Sequence, residues 1–306
     1  MNKKSAIAIL TYNRLPALEK MLQGIDQHCP GYPCAIFEDA GQADGTRQWL
    51  RMSMPPDQLR NRDRPDLMAW EYEISFVRQA FIGHRNLGVA ANSNRALRWF
   101  MGETDADHLC LCNDDLEVLG DFAAFYHQAH EDLGSGLYCF NDFWESPTHR
   151  WIIARSRGYR VRVFQRMTGI MLSVTRAAIA KAGYFDTRFA KFGEEHCDWT
   201  NRLRFCGQIK LDGLDQVCLD VEPTLPDGNP APAVLRHQNI PSSVTGAERA
   251  REDKLAEQRM HEASDRYKTE PHYRPFSLVW PGRMGGQSGN GIQMEEAPGY
   301  KIVTAT

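Results

Sequence analysis

The side chains with the most chemical potential are Asn113, Asp114 and Asp115, which end the apolar run Leu109-Cys110-Leu111-Cys112 and precede Leu116-Glu117-Val118. A buried strand that stops in carboxylates delivers them to the carboxyl edge of a sheet, where open α/β folds take their ligands. Mg²⁺ and Mn²⁺ are hard cations that prefer oxygen, typically one or two carboxylates plus the phosphates of a substrate. Asn113-x-Asp115 would supply that, although Asn-Asp-Asp after a strand also makes an ordinary turn. A second acidic strand end is Glu38-Asp39, after Cys34-Ala-Ile-Phe37. Between the strand-like Ser5 to Leu10 and a first helix stands the polar segment Thr11-Tyr12-Asn13-Arg14, placed where free helix N–H groups suit phosphate. A third acidic group, Glu194, Glu195 and Asp198 with His196 among them, opens a helix that ends in Arg202, Arg204 and Gly207. Acids first and bases last are also a helix's own dipole compensation.

These groups need a frame. Leu15, Leu18, Met21, Leu22 and Ile25 recur at helical spacing, and strands then alternate with helices, which predicts a mainly parallel sheet. Residues 86 to 100 read as a turn into an amphipathic helix, 121 to 132 as a helix, and 137 to 140, 169 to 174 and 208 to 212 as strands. Six arginines crowd residues 150 to 166, and Arg160-Val-Arg-Val-Phe164 alternates so that Arg160 and Arg162 share a face. That pattern is either a solvated edge strand or a patch that meets an anionic substrate. Residues 246 to 268 form a charged helix with a thin apolar stripe, and the Pro- and Gly-rich tail from Glu270 reads as mobile. The expected class is α/β, a mainly parallel central sheet flanked by helices. Residues 1–240 form the main domain and 241–306 a helical and irregular C-terminal extension.

At 306 residues the chain can bury a substantial core, and its 42% hydrophobic and 25% charged content is that of a water-soluble globular protein. A net charge of −3 supplies no global field toward nucleic acid or anionic membrane, so nucleic acid would have to be met by a local patch. There is no 18-residue apolar run and no signal-like N-terminus, so no transmembrane segment is expected. The eight cysteines lack zinc-type CxxC pairs and read as reduced core thiols of a cytoplasmic protein.

Five segments in order carry a resemblance: Ala8-Ile-Leu-Thr-Tyr-Asn-Arg14; Phe37-Glu-Asp-Ala with Asp44-Gly-Thr46; Arg85-Asn-Leu-Gly-Val-Ala-Ala-Asn92; Cys112-Asn-Asp-Asp-Leu-Glu-Val118; and Gly183-Tyr-Phe-Asp on to Glu195-x-x-Asp198-x-x-x-Arg202. Together, over roughly residues 5 to 210, they resemble family 2 glycosyltransferases of the GT-A, Rossmann-like fold. The resemblance implies a nucleoside-diphosphate sugar donor, foremost a UDP-sugar, and a Mn²⁺ or Mg²⁺ cofactor. It implies that Thr11, Tyr12, Asn13 and Arg14 contact the nucleotide, that Asp39 hydrogen-bonds its base with Glu38 nearby, and that Asn86 and Gly88 wall the pocket. Asn113-Asp114-Asp115 matches the family's D-x-D with Asn in the first place. Asn113 and Asp114 then border the donor, and Asp115 is the direct metal ligand.

The implied chemistry is inverting transfer of the sugar to an acceptor hydroxyl. It needs charge stabilisation at the departing phosphate and a base for the acceptor proton. The family keeps its base in an acidic pair at a helix head. Counting back from Arg202 puts that pair on Glu195 and His196, a histidine replacing the usual aspartate. Glu195 is the first candidate base, with His196 and then Asp198 behind it; His196 or His237 could instead complete the metal shell. The acceptor is a saccharide, a glycolipid or another anionic molecule, with a modified nucleic-acid base reachable through the arginines. Two rival readings are a nucleotidyltransferase, which should carry a Gly- and Lys/Arg-rich loop that Thr11 to Leu15 lacks, and a non-catalytic nucleotide- or glycan-binding module.

Overall fold

Ser5–Thr11 is buried at every position and forms the central strand β1. In the computed structural model the described residues are 4–40, 44–52, 70–74, 78–83, 86–140, 150–154, 159–164, 169–189, 191, 193–209, 218–227, 229–238, 250–256, 258–259 and 300–304. Pro16 starts helix α1 (Leu15–His28), whose buried face is Ala17, Leu18, Met21, Leu22 and Ile25, the stripe read from the sequence with Ala17 added and Leu15 only half-buried. Strand β2 (Cys34–Glu38), helix α2 (Thr46–Met52), strands β3 (Trp70–Ile74) and β4 (Arg78–Ile82) and helix α3 (Val89–Glu103) follow. Next come β5 (His108–Asn113), β6 (Leu116–Val118), α4 (Phe122–Leu133) and β7 (Leu137–Phe140). Asp121 caps α4 by accepting from Ala124 N–H, and Gly134, at φ 71°, closes it in a conformation that an L side chain resists.

β8 (Arg150–Ala154), β9 (Tyr159–Phe164), β10 (Met171–Thr175), α5 (Arg176–Ala182) and α6 (Glu195–Phe205) continue the chain, and β11 (Cys218–Pro223), β12 (Leu235–His237) and β13 (Tyr300–Thr304) complete the strands. The main sheet has the order β3-β4-β2-β1-β5-β10-β7. Strands β4, β2, β1 and β5 are parallel neighbours. β7 shares their direction, because it is antiparallel to β10, which is antiparallel to β5. The chain builds outward from β1 through β2, then returns to lay β5 on the other side of β1. The gap between the ends of β1 and β5 is therefore a topological switch point, where such sheets open a crevice for ligands.

Two expectations are corrected. Arg160 and Arg162 do not lie on an edge strand: β9 is an inner strand of a separate antiparallel sheet of order β11-β9-β8-β13. There Arg160 pairs in register with Glu222 and Arg162 with Asp220, and the Arg160 guanidinium lies 3.9 Å from Glu222. Opposite charges across neighbouring strands offset each other, as Arg160 and Glu222 do here. Residues 155–158 and 166, with their arginines, lie outside the described residues. The tail, in turn, is not wholly without structure, since Tyr300–Thr304 pairs along β8. Gln208 and Ile209 are not in a strand, and the rest of the strand expected at 208 to 212 lies outside the described residues. So does most of the charged helix expected at 246 to 268, of which 250–256 is helical. Cys29, Cys34, Cys110, Cys112, Cys139, Cys197 and Cys206 are reduced, outside any disulfide. No helix among the described residues is long and apolar enough to cross a membrane.

Candidate active site

At the switch point β1 and β5 end side by side, Leu10 opposite Asn113, and Asp114 N–H still donates to Leu10 O (3.1 Å). The chain turns after β1 through Asn13, at φ 53°, and this aims Arg14 across the gap. Its Nη1 lies 2.5 Å from Asp115 Oδ2 and 3.3 Å from Asp114 Oδ1. Asp114 is buried, and burial pushes its carboxyl up to about 7 against the pull of Arg14, with Asp115 adding to the rise. The fourth member arrives from far along the chain. β12 pairs antiparallel with β6, His237 opposite Leu116, and sets His237 Nε2 3.4 Å from Asp115 Oδ2. Gln238 locks the ribbon through its N–H to Asp115 O (2.8 Å) and its Nε2 to Leu116 O (2.7 Å).

This donor set fits a divalent cation. Asp115 Oδ1 is buried with no hydrogen-bond partner among the described residues, an arrangement that costs free energy unless a ligand completes it. The carboxylate offers such an ion an oxygen donor and the imidazole a nitrogen donor. Asn113 stands at the strand end, half-buried, its N–H given to Ile170 O (2.8 Å).

A second cluster forms where β2 ends. Asp39 N–H donates to Thr11 O (3.1 Å), which joins the ends of β1 and β2. Both Asp39 carboxylate oxygens accept from the loop before α3, from Leu87 N–H at 2.8 Å and Gly88 N–H at 2.9 Å. Asn86 Oδ1 also receives Gly88 N–H (3.0 Å). Burial raises the Asp39 carboxyl even so, against these N–H groups and Arg95. Glu38 is fully buried and accepts from Gly83 N–H (3.3 Å). Tyr12 and Asn13 are half-buried beside buried Thr11.

Sequence reasoning missed three supports of this edge. Arg95, buried in α3, donates to Glu38 O (3.0 Å) and Asn92 Oδ1 (2.8 Å). Asn94 exchanges two hydrogen bonds with the backbone of Phe185. The signal was present, since Asn92, Asn94 and Arg95 interrupt the apolar face of a helix that is otherwise buried there. Asp44 was quoted without a role. It accepts Leu15 N–H at 2.5 Å at the start of α1, and Thr46 N–H (3.0 Å) and Oγ1 (2.7 Å) at the start of α2. Against the upward push of burial, the Thr46 hydroxyl and the N–H groups hold its carboxyl low.

The third cluster is the head of α6. Gly169 lies so close to His196 that an added Cβ would meet Nδ1 at 3.0 Å, and the next residue, Ile170, accepts from Asn113. This chain of contacts sets the start of α6 beside the end of β5. Glu195 is buried; its Oε1 lies 3.1 Å from His196 Nδ1 and its Oε2 is buried with no partner among the described residues. Burial alone would lower the His196 imidazolium, but the neighbouring Cys197 and the hydrogen-bonded Glu195 outweigh it and hold it well above the ordinary histidine value. Asp198 points elsewhere. Its Oδ2 lies 3.1 Å from both Nε and Nη2 of Arg202, and burial raises its carboxyl to about 6 despite that partner. Among the described residues, those with positive φ other than glycine are Asn13, Ala40 and Glu194, one after β1, one after β2 and one before α6. Such strain persists where the surroundings over-determine it, and it clusters at ligand sites.

No family profile matches the chain, and no curated protein matches it in sequence. Solved structures do match in fold. S. aureus TarS 1–349 in complex with UDP-GlcNAc aligns at TM-score 0.51 and 9% identity, over 87% of this chain and 67% of that one. The mannosyltransferase PcManGT from Pyrobaculum calidifontis, in complex with GDP-Man and Mn²⁺, aligns at 0.49 and 16%, over 90% and 70%. GalNAc-T7 with UDP, GalNAc and Mn²⁺ aligns at 0.49 and 12%, over 72% of this chain and 44% of that one. The chain has an α/β fold of GT-A type, with a mixed and mostly parallel sheet flanked by helices, as the sequence implied.

Proposed function

We propose that this protein is a nucleotide-sugar-dependent glycosyltransferase of the family 2 kind, metal-assisted and inverting, with a UDP-sugar as donor. The observation that carries the reading is the meeting of Arg14, Asp114, Asp115 and His237 at the switch point, with a buried carboxylate oxygen left unpartnered. The fold shared with TarS, whose structure holds UDP-GlcNAc, supports the class of donor. The missing Gly- and Lys/Arg-rich loop after β1 weighs against a nucleotidyltransferase.

In this reading the nucleoside lies along Thr11, Tyr12 and Asp39 and the loop Asn86 to Gly88, and the diphosphate lies over Asp114 and Asp115. Asp115 and His237 would hold a divalent cation, whose chemistry when bound is to neutralise charge on the departing diphosphate. Arg14 moves from the carboxylates toward that same charge, as a guanidinium suited to phosphate oxygens. At the head of α6, Glu195 accepts the proton of the acceptor hydroxyl. The acceptor oxygen bonds to the anomeric carbon as the bond to phosphate breaks, and the nucleoside diphosphate leaves with the electron pair. His196, whose Nδ1 lies 3.1 Å from Glu195 Oε1, orients Glu195 in this reading. Asp198, held by Arg202, steadies the helix.

Calorimetry with UDP on chelator-treated protein tests the reading: binding should need added Mn²⁺ and should vanish with EDTA. UDP binding that ignores both would remove the metal bridge. Asp39→Ala is expected to leave Leu87 N–H without its acceptor and Gly88 N–H with Asn86 Oδ1 alone, at a cost of about 1–3 kcal/mol where an N–H stays buried and unpaired. The loop then loosens at a point remote from the reacting carbon, so donor KM should rise more than kcat falls. A collapsed kcat at parental KM would put Asp39 at the reaction centre instead.

A further inference from the structure

β5 carries a second chemical cluster at the end opposite Asp115. His108 is its first residue and is buried. His127 and Glu131 stand one turn apart on α4, hence on one face of that helix, and that face meets His108. The two imidazoles approach at 2.8 Å between Nδ1 atoms, and Glu131 Oε1 lies 3.9 Å from His108 Nε2. One ligand atom from each of the three lies within 4.8 Å of the others.

The surroundings hold this arrangement in place. His130 stacks on the His108 ring at 4.8 Å and 19°, and is itself fixed by contacts to Ser135 O (2.6 Å) and Ser173 Oγ (2.9 Å). Burial, and then the neighbouring His127, push the His108 imidazole down to about 4, which leaves it neutral at physiological pH. The side of the cluster formed by Glu131, whose side chain is 56% exposed, opens to solvent.

We propose that His108, His127 and Glu131 form a transition-metal site of the zinc class, separate from the candidate active site, which ties α4 to the start of β5. Two imidazoles and a carboxylate with one open position make a common tetrahedral zinc set. Nitrogen-rich ligation selects against the hard ion suited to Asp115. Ligand atoms on a tetrahedral zinc stand roughly 3.3 Å apart, so the imidazoles must part by roughly half an ångström while the exposed Glu131 swings inward. Without metal the two rings share a single N–H···N hydrogen bond.

The test uses the full chain, chelator-treated and then titrated with ZnCl₂, with Co²⁺ as a spectroscopic substitute. Parent and Asp115→Ala should both bind about one tight zinc at this site, should melt at higher temperature with zinc, and should give the intense visible bands of tetrahedral Co²⁺. His127→Ala should lose all three signals, and Glu131→Gln, at an exposed position that tolerates substitution, should weaken binding at least ~10-fold. Circular dichroism confirms that each variant is folded. Tight zinc binding by His127→Ala and Glu131→Gln at parental affinity, or its complete loss in Asp115→Ala alone, would overturn the site and leave a hydrogen-bonded histidine pair.

Discussion

Asp115→Ala is expected to abolish sugar transfer, with a loss in kcat on the order of 10²- to 10³-fold or more, the scale on which removal of one preorganised charge-stabilising group is felt. The side chain is the common partner of Arg14 at 2.5 Å and of His237 at 3.4 Å. Its removal takes away the cation's carboxylate and the group that positions the guanidinium. Removing one member of a fully buried ion pair costs about 3–5 kcal/mol. Here the cost should be smaller, because Arg14 keeps Asp114 at 3.3 Å and its side chain is 18% exposed. The variant should therefore fold, and its UDP affinity in Mn²⁺ should fall to that of the parent in EDTA. Parental turnover by Asp115→Ala would end the metal-bridge reading.

The second large effect is expected at Glu195. Glu195→Gln should lose ~10²- to 10⁴-fold in kcat, the usual worth of a positioned proton acceptor, at unchanged donor affinity. His196→Asn should keep most of the activity. Its contact in the site is with Glu195, 3.1 Å away, and asparagine can still donate a hydrogen bond to that carboxylate. Asp198→Asn should chiefly lower stability, since it breaks the pair with Arg202. If Glu195→Gln transfers at the parental rate while Asp198→Asn does not, the base assignment moves one turn along α6.

The parts of the fold legible in the sequence were those fixed by local pattern. Ser5 to Leu10, Cys34 to Phe37 and Leu109 to Cys112 are apolar runs that stop in polar groups, so both the strands and the edge carrying their acids could be read. What joins these pieces over long range could not. His237 reaches Asp115 only because β12 pairs with β6, His237 opposite Leu116 and 121 positions from it in sequence, and nothing local to Leu235–His237 announces that partner. Arg160 and Arg162 looked like an exposed edge because the strand that pairs with theirs, carrying Glu222 and Asp220, lies some sixty positions on. Arg95 and Asn92 were passed over because an amphipathic pattern treats polar residues on a buried face as noise, whereas here they satisfy the backbone and charge at the end of β2. The choice among Glu195, His196 and Asp198 depended on which neighbour each side chain meets, His196 on Glu195 and Asp198 on Arg202, and on burial, both of which only the folded chain supplies.

The most direct measurement of the central claim is turnover of a panel of nucleotide sugars by the purified protein, with released nucleoside diphosphate followed in Mn²⁺ and in EDTA, for the parent and for Asp115→Ala. The account predicts Mn²⁺-dependent release from a UDP-sugar by the parent, even slowly to water when no acceptor is present, and none from Asp115→Ala. Tight UDP binding without turnover of any sugar across the panel would contradict it and leave a nucleotide-binding module on a glycosyltransferase fold.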